Sequence, residues 1–319
     1  MCMNVGSKLN IVFVGFVNDY ELLGIESLRG SFHISIVNIP KIFFRLCKRP
    51  ILKSGWRLIK YLLISKINKI GNADLVVFKD ENDYLRYMNY VNGNSILILR
   101  NTVSEQNIDM IKSFSGPIFS FDFDDVLKYG FIHYPQYSCV IDLIRDNKLF
   151  LSKKYDFCFI GKNKGRKDFI NRIDSVLNVN YKTHFDVISD TDTVKNFFSY
   201  LFCFKKNKYS YLSYLTSQLS CDVVLDIVKD NQSSETMRLI EALSSGRKVI
   251  TNNFNVLNHE LYHPQNVLYF NRIEDLEKNI EEFMINEFTV YPSDVINKYS
   301  TSFVLNDIIS KSIRMFSSK

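Results

Sequence analysis

Residues 221–253, CDVVLDIVKDNQSSETMRLIEALSSGRKVITNN, constrain the fold of this chain more than any other stretch. The run 223–228 is apolar except for Asp226, short, and bounded by polar residues, which describes a buried parallel strand. A polar turn follows at 229–232, and a helix is expected to open at Ser233 or Ser234. Met237, Leu239, Ile240 and Leu243 stand at spacings of three and four, so one side of that helix faces a core. Gly246 is placed for a left-handed cap, and 247–251 begins the next strand. A strand–loop–helix–strand unit points a helix N-terminus at the carboxyl edge of a sheet. Free N–H groups and the positive end of the helix dipole meet there and suit a phosphate.

The polar side of this helix is rich. Ser233, Ser234 and Thr236 bring hydroxyls to the first turn beside Glu235, Arg238 a charged donor, and Glu241 a carboxylate one turn on. Hydroxyls can cradle phosphate oxygens, an arginine can neutralise them, and a glutamate can accept both hydroxyls of a ribose. The same residues also describe a capped helix with an Arg238–Glu241 surface pair, worth a few tenths of a kcal/mol.

The run from Glu241 to Ile250, EALSSGRKVI, resembles the donor-site motif of GT-B glycosyltransferases, E-A-hydrophobic-x-x-G-x-x-V-I. The resemblance implies that Glu241 binds a ribose and that 233–236 faces phosphates. With Asp226, Gln232, Thr236 and Arg238, the segment is similar to transferases of bacterial capsule and lipopolysaccharide (O-antigen) clusters. Ser233 departs from the pattern, standing where many members carry a second Glu or a His, so inversion or retention does not carry over. The implied architecture is α/β: two Rossmann-like domains facing across a cleft, acting without a metal or other cofactor.

The remaining chain repeats the strand–helix alternation expected of parallel sheets covered on both faces. Strands are expected at 10–16, 33–37, 74–79, 95–99 and 117–121, with helices at 19–28, 82–91 and 104–114. The stretch 122–153 has no clean period and reads as the crossover. The pattern restarts with strands at 155–160 and 181–187, helices at 166–177, 193–203 and 209–219, and a last strand at 267–270. Helices at 274–283 and 302–316 close the chain. We therefore expect an acceptor domain over 1–150, a donor domain over 151–319, and a terminal helix 302–316 that packs back on the first. No apolar run reaches the ~18–20 residues that cross a bilayer. The apolar run 11–17 leads into Asn-Asp-Tyr-Glu with no small-residue cleavage site, so a cytoplasmic protein is expected. Six cysteines without a C-x-x-C pair and five histidines without an H-x-x-x-H array suggest neither zinc nor disulfides.

A second phosphate loop is expected at FIGKNKGR, 159–166. Gly161 and Gly165 allow close backbone approach, and Lys162, Lys164 and Arg166 supply charge. It is neither a P-loop nor a G-x-G-x-x-G fingerprint, which weighs against kinases and dehydrogenases. The resemblance extends to Gly161 and Arg166 as donor-diphosphate contacts.

Residues 41–70 hold nine Lys or Arg, no acidic residue and the chain's single tryptophan. Arg45, Lys48, Arg49, Lys53, Trp56, Arg57 and Lys60 are the expected contacts to an anionic membrane, each cation worth up to ~1 kcal/mol near the surface. The apolar side can instead pack on the first domain with its lysines snorkelling outward, and nucleic acid ranks last. The expected function is transfer of a sugar from a nucleotide-diphosphate donor to a lipid-linked saccharide at the inner face of a bacterial plasma membrane. An inverting reaction needs a base, for which Asp19 and His133 are candidates, with Glu21, Asp122 and Asp124 as alternatives. The rivals are polyol-phosphate transfer or sugar-nucleotide epimerisation on the same scaffold, and a non-catalytic scaffold subunit.

Overall fold

The computed structural model describes residues 8–40, 43–44, 55–188, 210–228 and 234–318. The chain forms two units, 1–135 with 301–319, and 136–300.

The first unit holds strands β1 (Asn10–Val14), β2 (His33–Val37), β3 (Leu75–Lys79), β4 (Ser95–Leu99), β5 (Ile118–Ser120) and β6 (Ile132–His133) in one parallel sheet of order β2-β1-β3-β4-β5-β6. β3 is buried along its whole length, as a strand covered on both faces must be. Helix α1 (Asp19–Glu26) follows β1, and α2 (Gly55–Asn68) follows β2. In α2 the buried Ile59, Leu63 and Ile67 recur every fourth residue and join Val12, Val14, Val76 and Phe78 in the core. The apolar stripe of the basic segment thus packs inward.

The stretch expected as a helix at 82–91 is instead a short turn of helix, α3 (Asn82–Leu85), and a 3-10 turn, Met88–Tyr90. Bonds from Tyr84 N–H to Glu81 O, Tyr87 N–H to Tyr84 O and Tyr90 N–H to Tyr87 O tighten the winding to three residues per turn. α4 (Ile108–Lys112) is likewise shorter than expected. The stretch without a clean period, read as the crossover, carries α5 (Phe123–Tyr129), capped by Asp122 accepting from Asp125 N–H and ended by a left-handed Gly130, and then β6.

The second unit begins with α6 (Val140–Arg145), followed by β7 (Tyr155–Lys162), α7 (Lys167–Leu177), β8 (Thr183–Ile188), α8 (Tyr211–Gln218), β9 (Cys221–Asp226), α9 (Met237–Ser244), β10 (Lys248–Thr251), β11 (Val267–Tyr269), α10 (Ile273–Ile285) and α11 (Ser293–Asn297). Its sheet is parallel, of order β11-β10-β9-β7-β8. Phe157, Phe159, Val223 and Leu225 point to the face covered by Ile170 and Ile173 of α7 and by Leu276 and Ile280 of α10. Alternate residues, Cys158, Ile160 and Val224, are buried on the opposite face, where α8 meets β7 and α9 meets β9 and β10.

The chain divides at Pro135 and Gln136, so 136–150 belongs to the second unit, where α6 packs against α9. The last helix, α12 (Thr301–Ser317), belongs to the first unit and packs on α1. Gly24 makes that approach possible: a Cβ there would lie 2.6 Å from Thr301 Cγ2. The expected helix at 193–203 lies outside the described residues. No described helix is long and apolar enough to cross a membrane.

Candidate functional site

In the second sheet the chain runs from β7 outward to β8 on one side and returns to β9 on the other. The strand order reverses between β7 and β9, and ligands of open parallel sheets bind outside the carboxyl ends of strands at such a point. Two loops meet there, after β7 and after β9. The first turns sharply: Lys164 and Gly165 both have positive φ, 47° and 82°, and only the glycine adopts this without steric cost. Asn163 Oδ1 accepts from Lys167 N–H at 2.9 Å and satisfies one of the free donors at the start of α7. Arg166 lies over the Phe159 ring at 5.3 Å and donates from Nη1 to Ile227 O, tying this loop to the chain leaving β9. Val228 N–H donates to Asn252 Oδ1 at 2.8 Å, which fixes that chain to the end of β10. These contacts wall a cavity of about 630 Å³ that includes Lys164, Arg166, Phe169, Ile227, Val228 and Asn252 in its lining.

α9 begins at Met237, not at Ser233 or Ser234. Thr236 is extended, and its Oγ1 accepts from Leu239 N–H at 3.1 Å, which makes it the N-cap. At the other end Gly246 (φ 67°) donates to Leu243 O and Arg247 N–H donates to Ala242 O, a Schellman stop. Arg238 does not lie on the surface. Its side chain is only 12% exposed. Nη1 stands 3.4 Å from Asp226 Oδ1, Nη2 donates to Ile160 O at 3.0 Å, and the guanidinium covers Phe159 at 4.8 Å. Gly161 serves this arrangement, since a Cβ there would sit 2.9 Å from Arg238 Nη2. Arg166, from the loop after β7, and Arg238, from the first turn of α9, therefore converge on one ring.

Glu241 is fully buried. Its Oε1 accepts from Tyr211 Oη at 2.5 Å and from Ser138 Oγ at 3.3 Å, while Oε2 has no hydrogen-bond partner. Burial pushes its carboxyl up to about 7, against the opposing hydrogen bond from Tyr211 and the charge of Arg238. Asp226 is raised by burial too, again opposed by Arg238. No surface pair between Arg238 and Glu241 forms.

The other expected donor contacts are spread around this edge. Lys162 is exposed at the end of β7. Ser234 is buried, and its carbonyl accepts from Asn253 Nδ2 at 3.2 Å. Glu235 Oε1 accepts from Gln136 N–H at 3.0 Å. Ser233 lies outside the described residues, as do Arg45, Lys48, Arg49 and Lys53. Trp56, Arg57 and Lys60 lie on α2, with Trp56 45% exposed and Lys60 over the Tyr90 ring at 3.4 Å. Asp19 is exposed at the first position of α1, behind Asn18 as N-cap. His133 is exposed at the end of β6, edge-on to Phe123 at 5.9 Å. Sequence reasoning missed Asn252, Asn163, Tyr211 and Ser138. The two asparagines follow strand ends and carried a turn signal; the other two lie far from Glu241 in the chain and carried none. Among the described residues, no group of three or more His, Cys, Asp or Glu side chains is arranged to hold a metal.

No protein-family profile matches the sequence, and no curated protein matches it. Solved structures do match in fold. Sucrose-phosphate synthase from Thermosynechococcus elongatus has a TM-score of 0.59 at 9% identity, covering 98% of this chain and 100% of that one. HepE from Anabaena, solved with UDP and glucose, has a TM-score of 0.54 at 10% identity, covering 96% and 99%. UDP-GlcNAc 2-epimerase from Methanocaldococcus jannaschii has a TM-score of 0.55 at 14% identity, covering 98% and 100%. The chain has the GT-B fold of two Rossmann-like domains, which glycosyltransferases share with these epimerases.

Proposed function

We propose that this chain is a glycosyltransferase that moves a sugar from a nucleoside-diphosphate donor to a lipid-linked saccharide during assembly of a bacterial surface polysaccharide. The observation that carries this is the convergence at the switch point of the second sheet. Lys164 and Arg166 line a cavity there, and Arg166 from the loop after β7 and Arg238 from the first turn of α9 meet over Phe159. A diphosphate gains charge as the glycosidic bond to it breaks, and fixed cations on rigid strand ends stabilise that charge without reorganising. On this view Lys164 and Arg166 hold the phosphates directly. Arg238, held by Asp226 and Ile160 O, adds positive potential from behind, and the reaction needs no metal.

The acceptor part of the proposal is supported by α2. Once Ile59, Leu63 and Ile67 are committed to the core, Trp56, Leu58 and Tyr61 remain 45%, 49% and 69% exposed beside the exposed Arg57, Lys66 and Lys69. An aromatic and apolar face flanked by cations suits the headgroup region of an anionic bilayer, the inner leaflet of the plasma membrane in this proposal.

Isothermal titration with UDP, GDP and CMP tests the donor site. One of them is expected to bind, and Arg166→Ala to weaken it at least tenfold. Failure of all three to bind, or an Arg166→Ala affinity equal to that of the native chain, refutes the proposal. Product analysis with the bound nucleotide's sugars separates transfer from epimerisation.

A further inference from the structure

The cavity beside Lys164 and Arg166 holds more than a diphosphate, and its remaining walls differ in how far their polar groups are already committed. Asn252, at the end of β10, is spent. Its Oδ1 accepts from Val228 N–H at 2.8 Å, and its Nδ2 donates to Val228 O at 3.4 Å. Ile227 O is taken by Arg166. Phe169, half-buried on α7, stacks on Phe270 with the rings 13° from parallel and carries the Arg172 guanidinium 5.7 Å from its centroid. Asn271 is different. It stands in the bend between β11 and α10, lines the cavity, is exposed, and has no hydrogen bond on its amide among the described residues.

A second cavity, of about 570 Å³, adjoins the first, shares Phe169 and Asn271 with it, and runs on past Arg172 and Ser175. Asn271 thus stands at the junction of two open spaces, in the first of which the phosphate-holding cations lie. A carboxamide offers N–H donors and a carbonyl acceptor side by side. A sugar hydroxyl both donates and accepts, so two neighbouring hydroxyls match the two ends of one amide. A nucleobase asks for an aromatic face to stack on. Phe169, the one aromatic residue in the described lining of either cavity, already has Phe270 and Arg172 against its ring. In a sugar nucleotide the sugar is bonded to the diphosphate directly, so it belongs in the space next to the cations.

We propose that Asn271 determines which sugar the donor site accepts: its amide donates to one ring hydroxyl and accepts from the neighbouring one while Lys164 and Arg166 hold the diphosphate. The inference rests on the nucleotide-sugar reading of this cavity. The ligand it selects is a sugar with an unmodified vicinal diol at the end of β11. A site that hydrogen-bonds a hydroxyl rejects an analogue without it, because the amide is then left unpaired. The second cavity leaves room for a substituent elsewhere on the ring.

Isothermal titration with UDP-glucose, UDP-galactose, UDP-N-acetylglucosamine and GDP-mannose, each set against free UDP or GDP, tests the assignment. Two neutral hydrogen bonds are together worth roughly tenfold in affinity. Asn271→Ala is therefore expected to weaken the tightest-binding sugar nucleotide by about fivefold or more, and to leave its free nucleoside diphosphate within about twofold. Lys164→Ala, which removes a phosphate contact, is expected to weaken both alike. Asn271 is exposed and unbonded, so the urea midpoint of Asn271→Ala is expected to match that of the native chain. Equal weakening of sugar nucleotide and free nucleotide by Asn271→Ala would put the nucleoside at this residue and overturn the proposal. An unchanged affinity for the sugar nucleotide overturns it too, as does a native chain that binds UDP or GDP but none of the sugar nucleotides. If the native chain binds no nucleotide of either kind, the donor reading itself fails and takes this proposal with it.

Discussion

Replacing Arg238 by methionine removes a guanidinium while keeping a stem of similar length against Phe159. Asp226, 2% exposed, then loses the cation 3.4 Å from its Oδ1, and Ile160 O loses a donor at 3.0 Å. Breaking a buried pair from one side costs about 3–5 kcal/mol, because the remaining charge is left in a poor solvent. For a domain of about 150–250 residues that corresponds to a melting temperature lower by about 6–20 °C. Asp226→Asn/Arg238→Met removes both charges and is expected to recover at least half of the loss. The deficit also has a pH signature. Burial already raises the folded-state carboxyl of Asp226, and loss of Arg238 raises it further. A carboxyl whose folded pKa lies above its unfolded value of about 3.9 stabilises the fold below that value and loses the contribution as pH rises through the folded pKa. Arg238→Met should therefore be closer to the native chain at pH 5 than at pH 8. Thermal and urea unfolding at both pH values measure this. A deficit below about 1 kcal/mol, one independent of pH, or a double variant no better than the single would refute the assignment of Arg238 as the partner of Asp226.

Gly161→Ala places a Cβ 2.9 Å from Arg238 Nη2 and 3.1 Å from Phe159 Cζ, and overpacking of this kind costs about 1–3 kcal/mol; urea unfolding is expected to show that loss, and to show it smaller when Arg238 is already methionine. Glu241, raised from 4.5 to about 7, contributes stability that is complete below its unfolded value and lost as pH rises toward its folded one. The native chain should lose up to about 1.4 kcal/mol per pH unit across that window, and Glu241→Gln should flatten the slope in urea titrations between pH 5 and 8. On the outer side of α2, Trp56→Ala/Tyr61→Ala is expected to reduce sedimentation with phosphatidylglycerol vesicles. Arg57→Glu/Lys60→Glu should abolish it at low salt, because each cation near such a surface is worth about 1 kcal/mol and each reversal counts twice. Binding that persists in both variants would place the membrane contact elsewhere.

The sheets were legible because their strands are buried on both faces and so read as short apolar runs between polar turns. β4 falls at 95–99 as expected, and the chain from β9 to β10 keeps its order and its glycine stop. What the sequence leaves out is the destination of side chains. Arg238 stands on a helix whose spacing puts it opposite the core stripe, and surface exposure followed from that. Its actual partners, Asp226 and Ile160 O, lie on two strands adjacent only in the folded sheet, and the room for it comes from Gly161, a residue whose missing Cβ reads in the sequence as space for a ligand. Glu241 has the same history: Ser138 and Tyr211 reach it from two other segments, and nothing local marks either as its partner.

Asp80 shows the complementary limit. It follows an apolar run and precedes Glu81, a pattern indistinguishable from a polar turn, and the hydrogen bonds that its Oδ2 accepts from Asn101 become visible only in the folded sheet. Its neighbour Lys79 is spent on Glu21, so the two adjacent charges at one strand end have opposite fates. A strand directs successive side chains to opposite sides, one toward the α1 contact and the other toward the end of β4. A parallel sheet repeats such a pair at every strand end, and local pattern cannot say which member is consumed by packing. That choice is a property of the whole sheet.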